Sequence, residues 1–358
     1  MENSVKKIGI ITLYGANNYG NRLQNYAVHK LLIGRGYNSR TIVPTKAPLL
    51  KTRLKRITKK IANMLFMPLL IKFRVNVVRT RKFEKFTSEN IPTEFICSKT
   101  GVLTNKAVVK YDFFVAGSDQ VWNPTFEYFK SDFSNLLMCF ASSEKRYCIS
   151  PSFGVEELPN EWKDIFAKEL KQYVNLCARE EKGAKIIKEL TGREDVVTTI
   201  DPTLMLDSSE WLKVSKKVKG LKEKYVLDYF LGQTPTTDEE YQSATDDTNG
   251  ERIRLLDKTT PDIYASGPSE FIYLVSKSSL ICTDSFHACV FAILFDKPFK
   301  VFKRKDDNKD MFSRIETLLG MFGINANENV GKTIFIDNKI RDSVLEIKRA
   351  ELINALKL

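Results

Sequence analysis

The chain has 358 residues, 43% of them hydrophobic and 28% charged, with a formal net charge of +12. These values suit a globular protein with room for two domains and exclude a largely disordered chain. The positive excess points to an anionic partner, such as a phosphorylated substrate or an acidic membrane surface.

Six cysteines, Cys97, Cys139, Cys148, Cys177, Cys282 and Cys289, show no C-x-x-C spacing. They read as reduced thiols of a cytoplasmic protein, not as a disulfide frame or zinc site. The first apolar run is too short for a signal peptide. No apolar stretch reaches the ~18 residues of a membrane span. A cytoplasmic protein, soluble or peripheral at the inner face of the membrane, is expected.

Residues 6–13 (KKIGIITL) predict a buried first strand. Tyr14-Gly15-Ala16-Asn17-Asn18-Tyr19-Gly20-Asn21-Arg22 follows, then a helix with Leu23, Ala27 and Leu31 on one face. Strand, glycine turn and helix open a Rossmann-like unit. Gly15 and Gly20 have phosphate-loop spacing, but Asn21-Arg22 stand where Lys-Ser/Thr is required. Glycines serving only a tight turn are the simpler reading of that spacing. Asn17, Asn18, Asn21 and Arg22 still place donors at a strand's C-terminal end, where they are expected to line a cleft.

Residues 51–85 hold twelve basic side chains against one acid, Glu84, and enclose the apolar run IANMLFMPLLI. That pattern suits an interfacial helix on an anionic membrane. The plainer alternative is a solvated helix packed on its domain. No helix-turn-helix, zinc-finger or RNA-binding signature accompanies the charge, so no nucleic acid is expected.

Residues 112–117 (DFFVAG) predict another buried strand, followed by Ser118-Asp119-Gln120-Val121-Trp122. Asp119 is the candidate base, with Gln120 and Trp122 beside it. The competing reading is an Asx turn with Trp122 in the core. Residues 146–150 predict a strand and 159–174 an amphipathic helix. Residues 176–181 (LCAREE) predict a strand finishing on Arg179 and Glu180, with a helix through Leu190. An arginine there can grip carboxylate or phosphate with two donors, or simply pair with Glu180 at the surface. Residues 196–204 (VVTTIDPTL) predict a strand broken by Asp201-Pro202, and a domain boundary is expected near 205–222.

Residues 224–231 begin a second strand–helix series. Residues 233–250 lack an amphipathic stripe. A strand is expected at 252–256, and a helix from Pro268 to about Lys277 with proline in its first turn. Residues 279–282 predict a strand, Thr283-Asp284-Ser285 a turn, and the following residues an apolar helix with His287 in its first turn. Such a helix N-terminus suits an anion. An N-cap on a core helix with a buried histidine fits the same letters equally well. Residues 298–302 predict a strand and 341–357 a final amphipathic helix. The chain is thus α/β, with an N-terminal domain over 1–210 carrying a basic excursion at about 46–90. A C-terminal domain over 222–335 and a helix over 340–358 complete it.

The segments IGIITLYGANNYGNRLQNYAV, VAGSDQVWNP, AREE, IDPTL, GPSEFIYLV and TDSFHACVFAILFDKPF together resemble the polysaccharide pyruvyl transferase family. The resemblance implies two Rossmann-like domains facing a cleft, similar to the glycosyltransferase B fold. It implies transfer of an enolpyruvate-derived group from phosphoenolpyruvate to a sugar as a pyruvate ketal, in cell-surface polysaccharide synthesis. The acceptor would be a sugar or lipid-linked oligosaccharide, with no cofactor and no metal. His287 would then be the acid and Asp119 the base or hydroxyl-orienting group. Arg179, Ser285 and Thr283 would hold the donor's anions. Some members carry arginine where Ser285 stands and many carry glycine where Ala288 stands. A second cation is therefore expected from Arg22, Lys303 or Arg304, and the Ala288 methyl narrows the helix N-terminus. A nucleotide-sugar-dependent glycosyltransferase of the same fold and a non-catalytic sugar-binding member remain the alternatives.

Overall fold

The computed structural model describes residues 5–15, 17–46, 71–245, 251–304 and 312–358. Residues 51–70, with most of the basic stretch and its apolar run, lie outside the described residues.

Short strands pair in parallel, buried on both faces toward the centre of the sheet and half-exposed at one edge. Five of them are β1 (Lys7–Ile11), β2 (Asn38–Lys46), β3 (Thr93–Ser98), β4 (Phe113–Asp119) and β5 (Arg146–Pro151). They form one wholly parallel sheet in the order β3-β2-β1-β4-β5. The helices α1 (Tyr19–Gly34), α2 (Ile71–Asn90) and α3 (Glu127–Leu136) connect these strands. Beyond them come α4 (Asn160–Leu170), β6 (Cys177–Ala178), α5 (Glu181–Thr191) and β7 (Val197–Thr198). β6 and β7 pair in parallel, and the Arg179 amide donates to Pro151 O of β5 at 3.0 Å.

Helix α6 (Ser208–Lys213) leads to the second sheet. It contains β8 (Tyr225–Tyr229), β9 (Glu251–Arg254), β10 (Leu280–Thr283), β11 (Phe299–Val301) and β12 (Thr333–Ile334), in the order β12-β11-β10-β8-β9. All neighbours are parallel except β11 and β12. Its helices are α7 (Pro268–Lys277), α8 (Phe286–Leu294), α9 (Ser313–Gly320) and α10 (Asn338–Ala355). Two Rossmann-like domains therefore face one another. In each, strand order reverses beside the first strand: between β1 and β4, and between β8 and β10. A crevice opens at such a switch point, and these two crevices meet.

One apolar core runs through the junction. Tyr19 of α1 stacks on Phe271 of α7 with centroids 4.7 Å apart, and its hydroxyl donates to Ser266 O at 2.8 Å. Trp211 of α6 lies between Tyr26 of α1 and Phe291 of α8, at 5.3 and 4.8 Å. The terminal helix α10 returns to the first domain, where Arg349 donates to Leu204 O and Asn175 donates to Ala355 O.

Helix α2 takes Arg79 and Lys82 out of the basic surface expected over 51–85. Arg79 is 5% exposed; it lies over the Tyr19 ring and donates to the Tyr19 hydroxyl and to Tyr264 O. Phe83 and Phe86 are buried beside it, and Lys82 pairs with Glu270 of α7 at 3.1 Å. These side chains join the two domains, so they are not available to a lipid surface. The strands expected over 176–181 and 196–204 shrink to two residues each. Arg179 and Asp201 turn out of the ladder into the junction, and Pro202 has no N–H to continue it.

Candidate active site

Five buried side chains form a polar chain across the junction, none more than 7% exposed. Asn21 stands in the first turn of α1, where the Asn18 cap accepts its amide at 3.2 Å. Its side-chain amide donates to Asp119 Oδ2. Asp119 ends β4 with φ +66°, a region non-glycine residues seldom occupy and one that recurs at functional sites. Arg179, just past β6, donates through Nη2 to Asp119 Oδ1 at 3.4 Å and through Nη1 to Asp201 Oδ2 at 2.7 Å. The Phe286 ring lies 4.5 Å from its guanidinium. Asp201, just past β7, also accepts from the amide and hydroxyl of Thr203, at 3.0 and 2.6 Å. His287 Nε2 of α8 lies 3.6 Å from Asp201 Oδ2.

These neighbours set the charges. Burial works to raise the Asp201 carboxyl, but the His287 imidazole and the Arg179 guanidinium hold it well below the usual carboxylate range. Asp119 behaves alike: burial opposes ionisation, and Arg179, His287 and Arg314 overcome it and lower its pKa. Both carboxylates are therefore ionised near neutral pH. Asp201 thus sets a negative charge beside the His287 imidazole.

A cavity of about 690 Å³ opens above this chain, between the domains. Its polar lining includes Asn18, Asn21, Asp119, Gln120, Ser285, His287, Arg304 and Arg314. The first turns of α1 and α8 both border it, and a helix N-terminus carries a partial positive charge. Arg304 meets Asp284 at 3.2 Å. Asp284 also accepts from the Leu231 and Gly232 amides, which ties the β8 loop to the β10 turn. Arg314, 6% exposed, meets Gln120 through Nη1 at 2.8 Å with the amide oxygen turned toward it. Burial, and then Arg179, lower its pKa to about 10. Its Nε finds no partner among the described residues. Gly20 lies against the His287 ring so closely that a side chain there would overlap it. No group of three His, Cys, Asp or Glu side chains that could hold a metal occurs among the described residues.

A sequence model of the polysaccharide pyruvyl transferases matches residues 18–306. The chain belongs to that family. It is accordingly a transferase. Among curated proteins none matches the chain in sequence. Similar solved structures include the UDP-GlcNAc 2-epimerase of Methanocaldococcus jannaschii, at 13% identity over 95% of this chain and 99% of that one, with TM-score 0.47. The wall teichoic acid polymerase TagF is similar at 11% identity over 98% and 84%, with TM-score 0.46. A functionally uncharacterized protein of Klebsiella pneumoniae is similar at 15% identity over 73% and 87%, with TM-score 0.39.

The structure brings Asn18, Asn21, Asp119, Gln120, Ser285, His287 and Arg304 to the cavity of this transferase. Other candidates lie elsewhere. Arg179 borders no open space; it is 2% exposed and locked between two carboxylates, so it positions Asp119 and Asp201 instead of gripping a ligand. The Thr283 hydroxyl is consumed at the end of β10, donating to Tyr229 O of β8 and accepting from the Ser285 amide. Trp122 is fully buried against Phe153 and Tyr173. Asn17 donates to Thr80 of α2. Arg22 is 4% exposed and lies behind the cavity wall, over the ring of the lining residue Tyr14, and does not itself border the cavity. Lys303 lies over Phe312 and does not border the cavity. Sequence reasoning missed Asp201, read only as a strand breaker, and Arg314, whose surroundings carry no motif.

Proposed function

We propose that the protein transfers the enolpyruvate-derived group of phosphoenolpyruvate onto two hydroxyls of a sugar, as a pyruvate ketal, during cell-surface polysaccharide synthesis. The observation that carries this reading is the single cavity joining the His287–Asp201 pair to Asp119, Arg304 and Arg314. The donor bears a carboxylate and a phosphate, which match two guanidinium groups and two helix N-termini. His287 gives a proton to the methylene carbon C3, and the Asp201 carboxylate, 3.6 Å from Nε2, orients the imidazole. Positive charge then develops at C2. Asp119, kept ionised, accepts a hydrogen bond from the first sugar hydroxyl and aims its oxygen at C2. The second hydroxyl oxygen displaces phosphate. One hydroxyl proton restores His287, and the other leaves with the phosphate.

The low pKa of Asp119 suits an orienting acceptor better than a strong base. No helix among the described residues is long and apolar enough to cross a membrane. The remaining cations of residues 51–85 hold the enzyme against an anionic membrane surface, where a lipid-linked acceptor resides. The test is incubation with phosphoenolpyruvate and a panel of glycosides and lipid-linked oligosaccharides. Wild type releases phosphate and places a ketal methyl on the sugar, and His287→Ala does neither. Turnover by His287→Ala near the wild-type rate overturns the assignment.

A further inference from the structure

The cavity is larger than the donor needs, and its wall also carries aromatic side chains. Phe126 and Tyr128 stack with centroids 5.3 Å apart and planes 25° from parallel, and both border the cavity. The Tyr128 hydroxyl donates to Gln120 O at 2.5 Å, which fixes this pair one residue from Asp119. Helix α3 breaks at Asp132, whose φ of −134° and ψ of 16° are not helical. There Ser131 and Asp132 border the cavity too. Asn135 donates to Asp132 Oδ1 at 2.5 Å, and Oδ2 takes no hydrogen bond among the described residues. Burial raises the Asp132 pKa, so a donor to its carboxylate would relieve a cost already present.

We infer that Phe126, Tyr128 and Asp132 form a pyranose-binding subsite that presents the acceptor sugar to Asp119. A pyranose ring has an apolar C–H face and a rim of hydroxyls. An aromatic platform meets the first, and a carboxylate with a free oxygen accepts from the second. Trp122, the aromatic residue that its sequence position suggested, is buried out of reach. The inference depends on the pyruvyl-transfer reading only for the chemistry of the bound sugar, not for its binding.

Saturation-transfer NMR with a panel of methyl hexopyranosides tests it, using the full-length protein and the variants Phe126→Ala, Phe126→Tyr and Asp132→Asn. At least one pyranoside receives saturation from wild type. Its affinity falls about tenfold in Phe126→Ala and Asp132→Asn and recovers in Phe126→Tyr, which restores the ring face. Phosphoenolpyruvate affinity, measured by calorimetry on the same samples, stays the same and shows that the variants are folded. A pyranoside that binds all four proteins alike overturns the subsite, and so does a panel in which nothing binds wild type. If pyranosides bind as described and wild type ignores phosphoenolpyruvate, the donor assignment fails and the subsite stands.

Discussion

Replacing Gly20 by alanine adds one methyl to the first turn of α1, where the His287 ring already stands. An ideal Cβ would lie 2.5 Å from His287 Cε1 and 2.8 Å from Cγ, and closer still to Nδ1. Contacts between such atoms are comfortable only at about 3.5–4.0 Å, so the ring or the helix must shift by about 1 Å. Alanine in a helix gains about 1 kcal/mol over glycine, and overpacking a filled site costs about 1–3 kcal/mol. The net destabilisation is therefore at most about 2 kcal/mol. Misplacing a catalytic group by about 1 Å costs far more in rate, about 10²-fold. Phosphate release and thermal denaturation, measured side by side, separate the two effects. Gly34→Ala is the control: the same helix, with nothing within 4 Å of the added methyl. It is expected to leave activity intact and to raise stability by about 0.4–1 kcal/mol. Full activity in Gly20→Ala would show that the histidine does not depend on its seat against α1.

Asp201→Asn removes the closest countercharge of buried Arg179 and is expected to cost about 3–5 kcal/mol of stability. Urea denaturation checks this, and a loss below about 1 kcal/mol contradicts the buried chain. His29, bonded to Ser39 and Thr41, is held neutral by burial and then by Arg40, its pKa lowered to about 3. The unfolded chain takes up that proton below pH ~6.5 and the folded one only near 3. Stability is thus whole above pH ~6.5 and drains as pH falls toward 3, by about 5 kcal/mol at most. His29→Gln should flatten that slope, and an unchanged slope would contradict it. The cations of 51–85 other than Arg79 and Lys82 should bind anionic vesicles at low ionic strength and release them as salt rises. Vesicles left unbound at low salt would refute the surface contact.

The strand–turn–helix units around β1 and β10 were legible because their signals are local: a β-branched run, a polar turn, an apolar helix. The sequence carried no comparable mark for β2, where Asn38–Lys46 interleaves polar residues and a proline, or for β3, a half-exposed edge strand. Asp119 and His287 were legible as polar groups at strand ends. The role of Arg179 was not, because its two partners stand 60 and 22 positions away and only the fold buries all three together. Trp122 and Thr283 sit in segments that read as polar turns yet are fully buried, and no periodicity in so short a segment tells inward from outward. Arg314 lies behind β11 in a helix whose approach to the cavity depends on how the two domains meet.

Calorimetric titration of phosphoenolpyruvate into wild type, Arg314→Gln and His287→Ala, with UDP-sugars as parallel ligands, decides whether the cavity is a pyruvyl-donor site. One donor is expected to bind per wild-type chain, weakened in both variants and most in Arg314→Gln, which loses a buried cation. Binding of UDP-sugars alone, or donor affinity indifferent to both substitutions, would contradict the proposed chemistry.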